Sequence, residues 1–226
     1  MLAEFFSKRI IRTFSCVIAV TFVVICTGYA FALSRVKRVP FEWNVYFLVN
    51  QGMAVEAGAE FIKWNGGAGY LIEREGERYA AIHVFFDRDS AENVQNRLTE
   101  SGQGASILSI GTHALYFKGN EKGHSELYVK ALKLLKSYVY LLEDCIVRLE
   151  NGMSQEACKR ILKTITSQFQ HAKTVYANYP QFGAVCEETV RELQSICCGT
   201  VYLKDLRFLL CYQTDSLMDL CSNFSI

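Results

Sequence analysis

The chain has no Cys-x-x-Cys pair and no cysteine or histidine pattern with zinc spacing, although it holds nine cysteines and four histidines. That removes the common structural zinc sites, which need closely spaced ligand pairs. The histidines, His83, His113, His124 and His171, show no i, i+4 pairing and no His-Glu-x-x-His motif. A phosphate-binding glycine loop, a dinucleotide fingerprint and a Gly-x-Ser-x-Gly nucleophile elbow are also missing. Gly66-Gly67-Ala68-Gly69 is none of these, because it follows a helix and leads into a strand. No metal, cofactor or enzymatic activity is therefore expected. Prolines are scarce at two, Pro40 and Pro180, and both fall at element boundaries.

A large excess of charge of one sign is equally absent: the 226 residues carry a formal net charge of +1. The layout is polarised, with six basic groups against one acid over residues 1–40, and five against ten over 41–111. An acidic middle segment argues against nucleic acid as a partner, since phosphate binding depends on Lys and Arg. From Thr13 to Leu33 no charged residue occurs in 21 positions. That length suits a hydrocarbon core of about 30 Å at about 1.5 Å per helical residue. The expectation is a cytoplasmic tail over 1–12, a transmembrane helix over 13–34 and a linker over 35–41. A cleaved signal ending near Ala30-Phe31-Ala32 is the alternative.

Beyond Pro40, Glu42 to Val49 is rich in aromatic and β-branched residues and predicts a strand. A short helix over 54–63, stopped by Gly66-Gly67, precedes a strand-turn-strand over 69–86. Asp89-Ser90 caps a helix ending before Gly102, and 104–110 supplies the last strand. The order is βαββαβ. A shift of 36 residues superimposes the halves, setting Val55 on Ala91, Ile62 on Leu98, Gly66 on Gly102 and Ile72 on Leu108. Two helices on one face of a four-stranded, mostly antiparallel sheet satisfy this pattern. Ala80, Ile82 and Val84, with Tyr46 and Leu48, are assigned to the helix-covered face by period-two alternation. Phe47, Val49, Tyr79, His83 and Phe85 then occupy the other face, an aromatic-rich candidate for binding. Coverage of that face by the later helices is the competing expectation.

Residues 122–226 predict a helical bundle. Tyr128, Leu132, Leu135, Val139, Leu142, Ile146 and Leu149 recur at helical spacing. Ile161, Ile165, Phe169 and Ala172 mark a second helix. Leu203, Leu206, Leu210, Leu217 and Leu220 mark the last, with Gln213 in a gap of the stripe. Such stripes predict core, with a protein-binding seam as the alternative. The seven cysteines of this region predict buried thiols. The fold class is thus α+β: a transmembrane helix, a ferredoxin-like βαββαβ unit over 42–111 and a C-terminal α-helical bundle.

The segment "GERYAAIHVFFDRDSAENVQNRLTESG" resembles the SPOR domain, the sporulation-related repeat, through Tyr79, Phe85, Ala91, Leu98 and Gly102. The first half, "VYFLVNQGM" through "FIKWNGGAGYLIE", is similar to membrane-anchored SPOR-type proteins of spore-forming bacteria. The family's Gln-x-Gly-x-Phe signature is replaced here by "FLVNQGM", and His83 stands where the family often has glycine. The resemblance implies a single-pass envelope protein that binds septal peptidoglycan glycan strands in cell division or sporulation. It implies that Phe47, Val49, Tyr79, His83 and Phe85 are the glycan-binding residues. It places the N-terminus in the cytoplasm and the remainder outside the cell membrane. A non-enzymatic membrane scaffold acting through the bundle, with a protein partner, is the alternative.

Overall fold

The computed structural model describes residues 21–23, 25, 36–51 and 53–224. The strands are β1 (Val36–Asn50), β2 (Tyr70–Arg74), β3 (Glu77–Phe85) and β4 (Ala105–Lys118). Helix α1 (Val55–Trp64) joins β1 to β2, and α2 (Arg88–Glu100) joins β3 to β4. A short 3-10 turn (Gly119–Gly123) leads into α3 (Ser125–Glu150), α4 (Gln155–Val175), α5 (Pro180–Cys198) and α6 (Leu203–Ser222). The sheet order is β2-β3-β1-β4, and every neighbouring pair is antiparallel.

The local chemistry explains these boundaries. Asp87 caps α2 by accepting from the Ser90 amide at 2.7 Å, and Ser154 caps α4 from the Ala157 amide at 3.3 Å. Gly69, at φ +57°, lies against the Ala59 carbonyl and the Lys63 side chain where a Cβ has no room. This lets β2 start directly beneath α1.

Strands β1 and β4 run further than the sequence pattern predicts. The linker assigned to 35–41 is strand from Val36 onward, and β4 continues past Gly111 to Lys118. The two pair from Val36 opposite Lys118 to Asn50 opposite Ala105, with a register shift between Pro40 and Trp43. Proline lacks a donor, so the ladder is irregular where Pro40 sits. Phe41 and Trp43 are buried just beyond it.

The largest correction concerns the sheet's second face. Phe47, Val49, Ala81 and Val84 share one core with Leu132, Leu135 and Leu142 of α3 and Leu206 and Leu210 of α6. Ala59 and Ile62 of α1 pack on Ala80 on the opposite side, with Ile82 against them. The chain is therefore α+β in three layers, helices on both sides of one antiparallel sheet. The expected ferredoxin-like unit with one face open, standing apart from a bundle, is overturned: sheet and bundle are built around a common core. The helical stripes are its far wall, which uses them as core rather than as an exposed seam.

A second correction concerns the membrane. The span expected over 13–34 lies outside the described residues except at 21–23 and 25. No helix among the described residues is long and apolar enough to cross a membrane. The transmembrane helix, the single-pass anchor and the cytoplasmic-to-outside arrangement lose their support.

The cysteines meet the expectation of thiols in a helical core. Cys145, Cys158, Cys186, Cys211 and Cys221 are buried, Cys197 is half-buried and Cys198 is exposed. Burial pushes the Cys145 and Cys221 thiols up to about 12 and that of Cys186 up to about 11. The thiolate is the reactive form. Brief alkylation of the native chain followed by peptide mapping should modify Cys198 first and Cys197 more slowly. The five buried positions should react only after denaturation.

Candidate functional site

The cleft begins with an irregularity in β3. Leu48 pairs with His83 and Val49 with Ala81, so Ile82 is an extra residue on β3 with no partner on β1. This is a β-bulge, and it reverses the side-chain alternation beyond it. Before it, Tyr79 and Ala81 pack toward the bundle and Ala80 and Ile82 toward α1. After it, Val84 joins the bundle core, while His83 and Phe85 turn to the α1 and α2 side. The five residues predicted to share one face are thereby divided. Phe47 and Val49 are fully buried, Tyr79 is half-buried against the same core, and only His83 and Phe85 reach a cavity together.

That cavity is a cleft of about 700 Å³. It forms because β2 ends its pairing where Tyr70 meets Ala81, so the last part of β3 is paired with β1 on one edge and has no strand on the other. Only the Ala68 amide follows, donating to the Ile82 carbonyl at 2.8 Å. Phe61 comes from α1 and Asn65 from its C-terminal cap, Val94 and Arg97 from α2, Glu143 and Glu150 from α3, and Arg207 from α6. Asn50 and Gln103 complete the polar rim.

The electrostatics of the cleft are specific. His83 stacks edge-on against Phe85, centroids 4.8 Å apart. Its Nδ1 is sealed from solvent and has no hydrogen-bond partner among the described residues. Burial, with the Arg207 guanidinium adding to it, lowers the His83 pKa to about 3, so the ring is neutral at physiological pH. Burial raises Glu143 to about 7, helped by the nearby Asp87 and Asp144 carboxylates. Arg207 donates to the Gly66 carbonyl and to Glu150 Oε1, the latter at 2.6 Å. Its charge is thus largely answered within the protein. The cleft offers a neutral imidazole, a carboxyl group that titrates near neutrality and several uncharged amides over aromatic walls.

Sequence reasoning singled out His83 and Phe85 but placed them on the wrong face. It missed Glu143, Glu150 and Arg207, which lie on helices remote in sequence. Their only signal was a charged residue set beside an apolar stripe, and most surface helices show that. No group of three or more His, Cys, Asp or Glu among the described residues is arranged to hold a metal ion. No known protein family, curated protein or solved structure matches this chain, so nothing among them supports the ferredoxin-like label.

Proposed function

We propose that the chain is a non-enzymatic binding module for a glycan, seated in the cleft around His83 and Phe85 rather than on the sheet face. The observation that supports this reading is the composition of the cleft. Phe61 and Phe85 supply aromatic surface, while Asn50, Asn65 and Gln103 supply amides that both donate and accept. Sugars need this combination, apolar C–H faces against rings and hydroxyls against planar polar groups. The charges of the cleft oppose one another, with Asp87, Glu143 and Glu150 facing Arg97 and Arg207. Such a balance favours a polyhydroxylated ligand over a highly charged one. Peptidoglycan glycan strands, the ligand implied by the SPOR resemblance, belong to this class.

Calorimetric titration with soluble glycan fragments freed of stem peptides tests the reading. One-to-one binding is expected, with the fragments recovered intact. Phe85→Ala should weaken it about tenfold, the loss of about 1.4 kcal/mol that one ring contact supplies. Tyr79→Ala should leave it unchanged, because Tyr79 packs on the other side of the sheet. Equal losses from both substitutions, or no binding to any fragment, would reject the proposal.

A further inference from the structure

The hairpin of α3 and α4 holds two cysteines against each other. Cys145 lies on α3 and Cys158 on α4, both are buried, and their sulfurs are 3.4 Å apart. The short turn from Asn151 to Ser154 joins the two helices close by. Helix ends open locally before the rest of a fold, which gives a small reagent a route to the pair. Burial raises both thiols, and the hydrogen bond between them holds Cys145 up while easing Cys158 down. Cys158 is therefore the first of the two to ionise.

The position of Cys145 on α3 links this pair to the cleft. Cys145 touches α4, while Glu143, Val147 and Glu150 of the same helix line the cleft. At about 100° per residue these three lie about 140–160° around the helix from Cys145, on its far side. Glu150 accepts from Arg207 at 2.6 Å, and the Arg207 charge acts on the His83 ring. A disulfide holds its sulfurs about 2.0 Å apart, so closing the 3.4 Å contact pulls α3 toward α4. Leu142, Ile146 and Leu162 are buried within one turn of the pair. Close-packed helices of this kind transmit a displacement along their length.

We propose that Cys145 and Cys158 form a peroxide-sensitive dithiol, and that its oxidation to a disulfide draws α3 off the cleft and loosens Glu150 from Arg207. The Cys158 thiolate attacks one oxygen of the peroxide. The O–O bond breaks, hydroxide leaves, and Cys158 becomes a sulfenic acid. The Cys145 thiolate then attacks the Cys158 sulfur, so the S–S bond forms, the S–O bond breaks and a second hydroxide leaves. The two thiol protons convert both hydroxides to water, and the two electrons of the dithiol have passed to the peroxide. A dithiol reductant reverses the step by exchange. Little of either thiol is ionised at neutral pH, so the pair answers prolonged exposure and not a brief reagent.

The test treats the full chain with hydrogen peroxide, blocks the remaining thiols under denaturing conditions and maps the disulfides by mass spectrometry. A link between Cys145 and Cys158 is expected, and dithiothreitol should remove it. In parallel, the protein is labelled with 13C-histidine and followed by NMR. The His83 signal should shift on oxidation and return on reduction, while that of His113, exposed on β4, should stay in place. Cys145→Ala and Cys158→Ala, treated in the same way, should show no shift at His83. Cys158 linked to the half-buried Cys197 instead, or a Cys145–Cys158 pair still reduced after Cys198 is oxidised, would overturn the proposal. So would a disulfide that leaves His83 unmoved, or a shift that persists in both alanine variants. No glycan enters this experiment, so its outcome is separate from that of the glycan titration.

Discussion

Phe47→Ala is expected to destabilise the protein by about 3–5 kcal/mol, the range for emptying a large aromatic position in a packed core. Phe47 has no exposed surface and stands opposite Val84 on β3. It also contributes to the core that joins the sheet to α3 and α6. A ring on an open sheet face would give a different result, since surface substitutions usually stay within about 0.5 kcal/mol. Urea unfolding followed by far-UV circular dichroism separates the two, and the midpoint should fall without a change in slope. Glycan affinity, measured on the folded fraction, should stay the same, because Phe47 faces away from the cleft. A stable Phe47→Ala variant that had lost glycan binding would reverse the assignment of faces. Tyr79→Ala should be milder, since its ring is partly exposed and its hydroxyl donates to Glu77 at 2.5 Å on the surface.

The residues that sequence reasoning read correctly are those governed by local periodicity. Leu132, Leu135, Val139 and Leu142 recur every three or four residues, and all are buried as that spacing requires. The succession of strands and helices along the βαββαβ segment was legible for the same reason. Where β1 begins was not, because Pro40 reads as a boundary while the buried Phe41 and Trp43 carry the strand through it.

The faces of β3 were illegible for a sharper reason. "AAIHVFF" contains no Gly or Pro to announce a bulge, and strict alternation is the natural reading. A single unpaired residue, Ile82, exchanges the faces of everything after it. The position of Val84 therefore depends on its pairing with Phe47, a long-range fact absent from the local pattern. The cleft is still less visible. Arg207 meets Gly66 across 141 positions and Glu150 across 57, and sequence spacing does not report such closures.

Arg74→Met should be the most damaging change at a charged site. Asp215 of α6 is 7% exposed and is held by Arg74, which also pairs with Asp219 at 2.9 Å. Tyr70 donates to the second oxygen of Asp215 at 3.0 Å. Burial raises the Asp215 carboxyl to about 6 even with Arg74 opposing it, and Asp219 pushes the same way. Removing one partner of a buried pair leaves an uncompensated charge and costs about 3–5 kcal/mol. That loss is expected at pH 7.5. Because the folded pKa exceeds the unfolded value, proton uptake by Asp215 favours the folded state. Its contribution is greatest below about pH 4 and falls as pH rises through about 6, by up to about 1.4 kcal/mol per unit. Without Arg74 the folded pKa moves higher still, so the penalty should shrink as pH drops from 7.5 toward 5. His83, neutral in the fold, opposes this trend on acidification, but it does so equally in both proteins and cancels from the difference. Arg74→Met combined with Asp215→Leu should recover most of the loss, because an apolar pair of similar volume needs no solvation. A penalty independent of pH, or a double variant no better than Arg74→Met alone, would show that Arg74 supports the β2–α6 contact by packing and not by answering a buried charge.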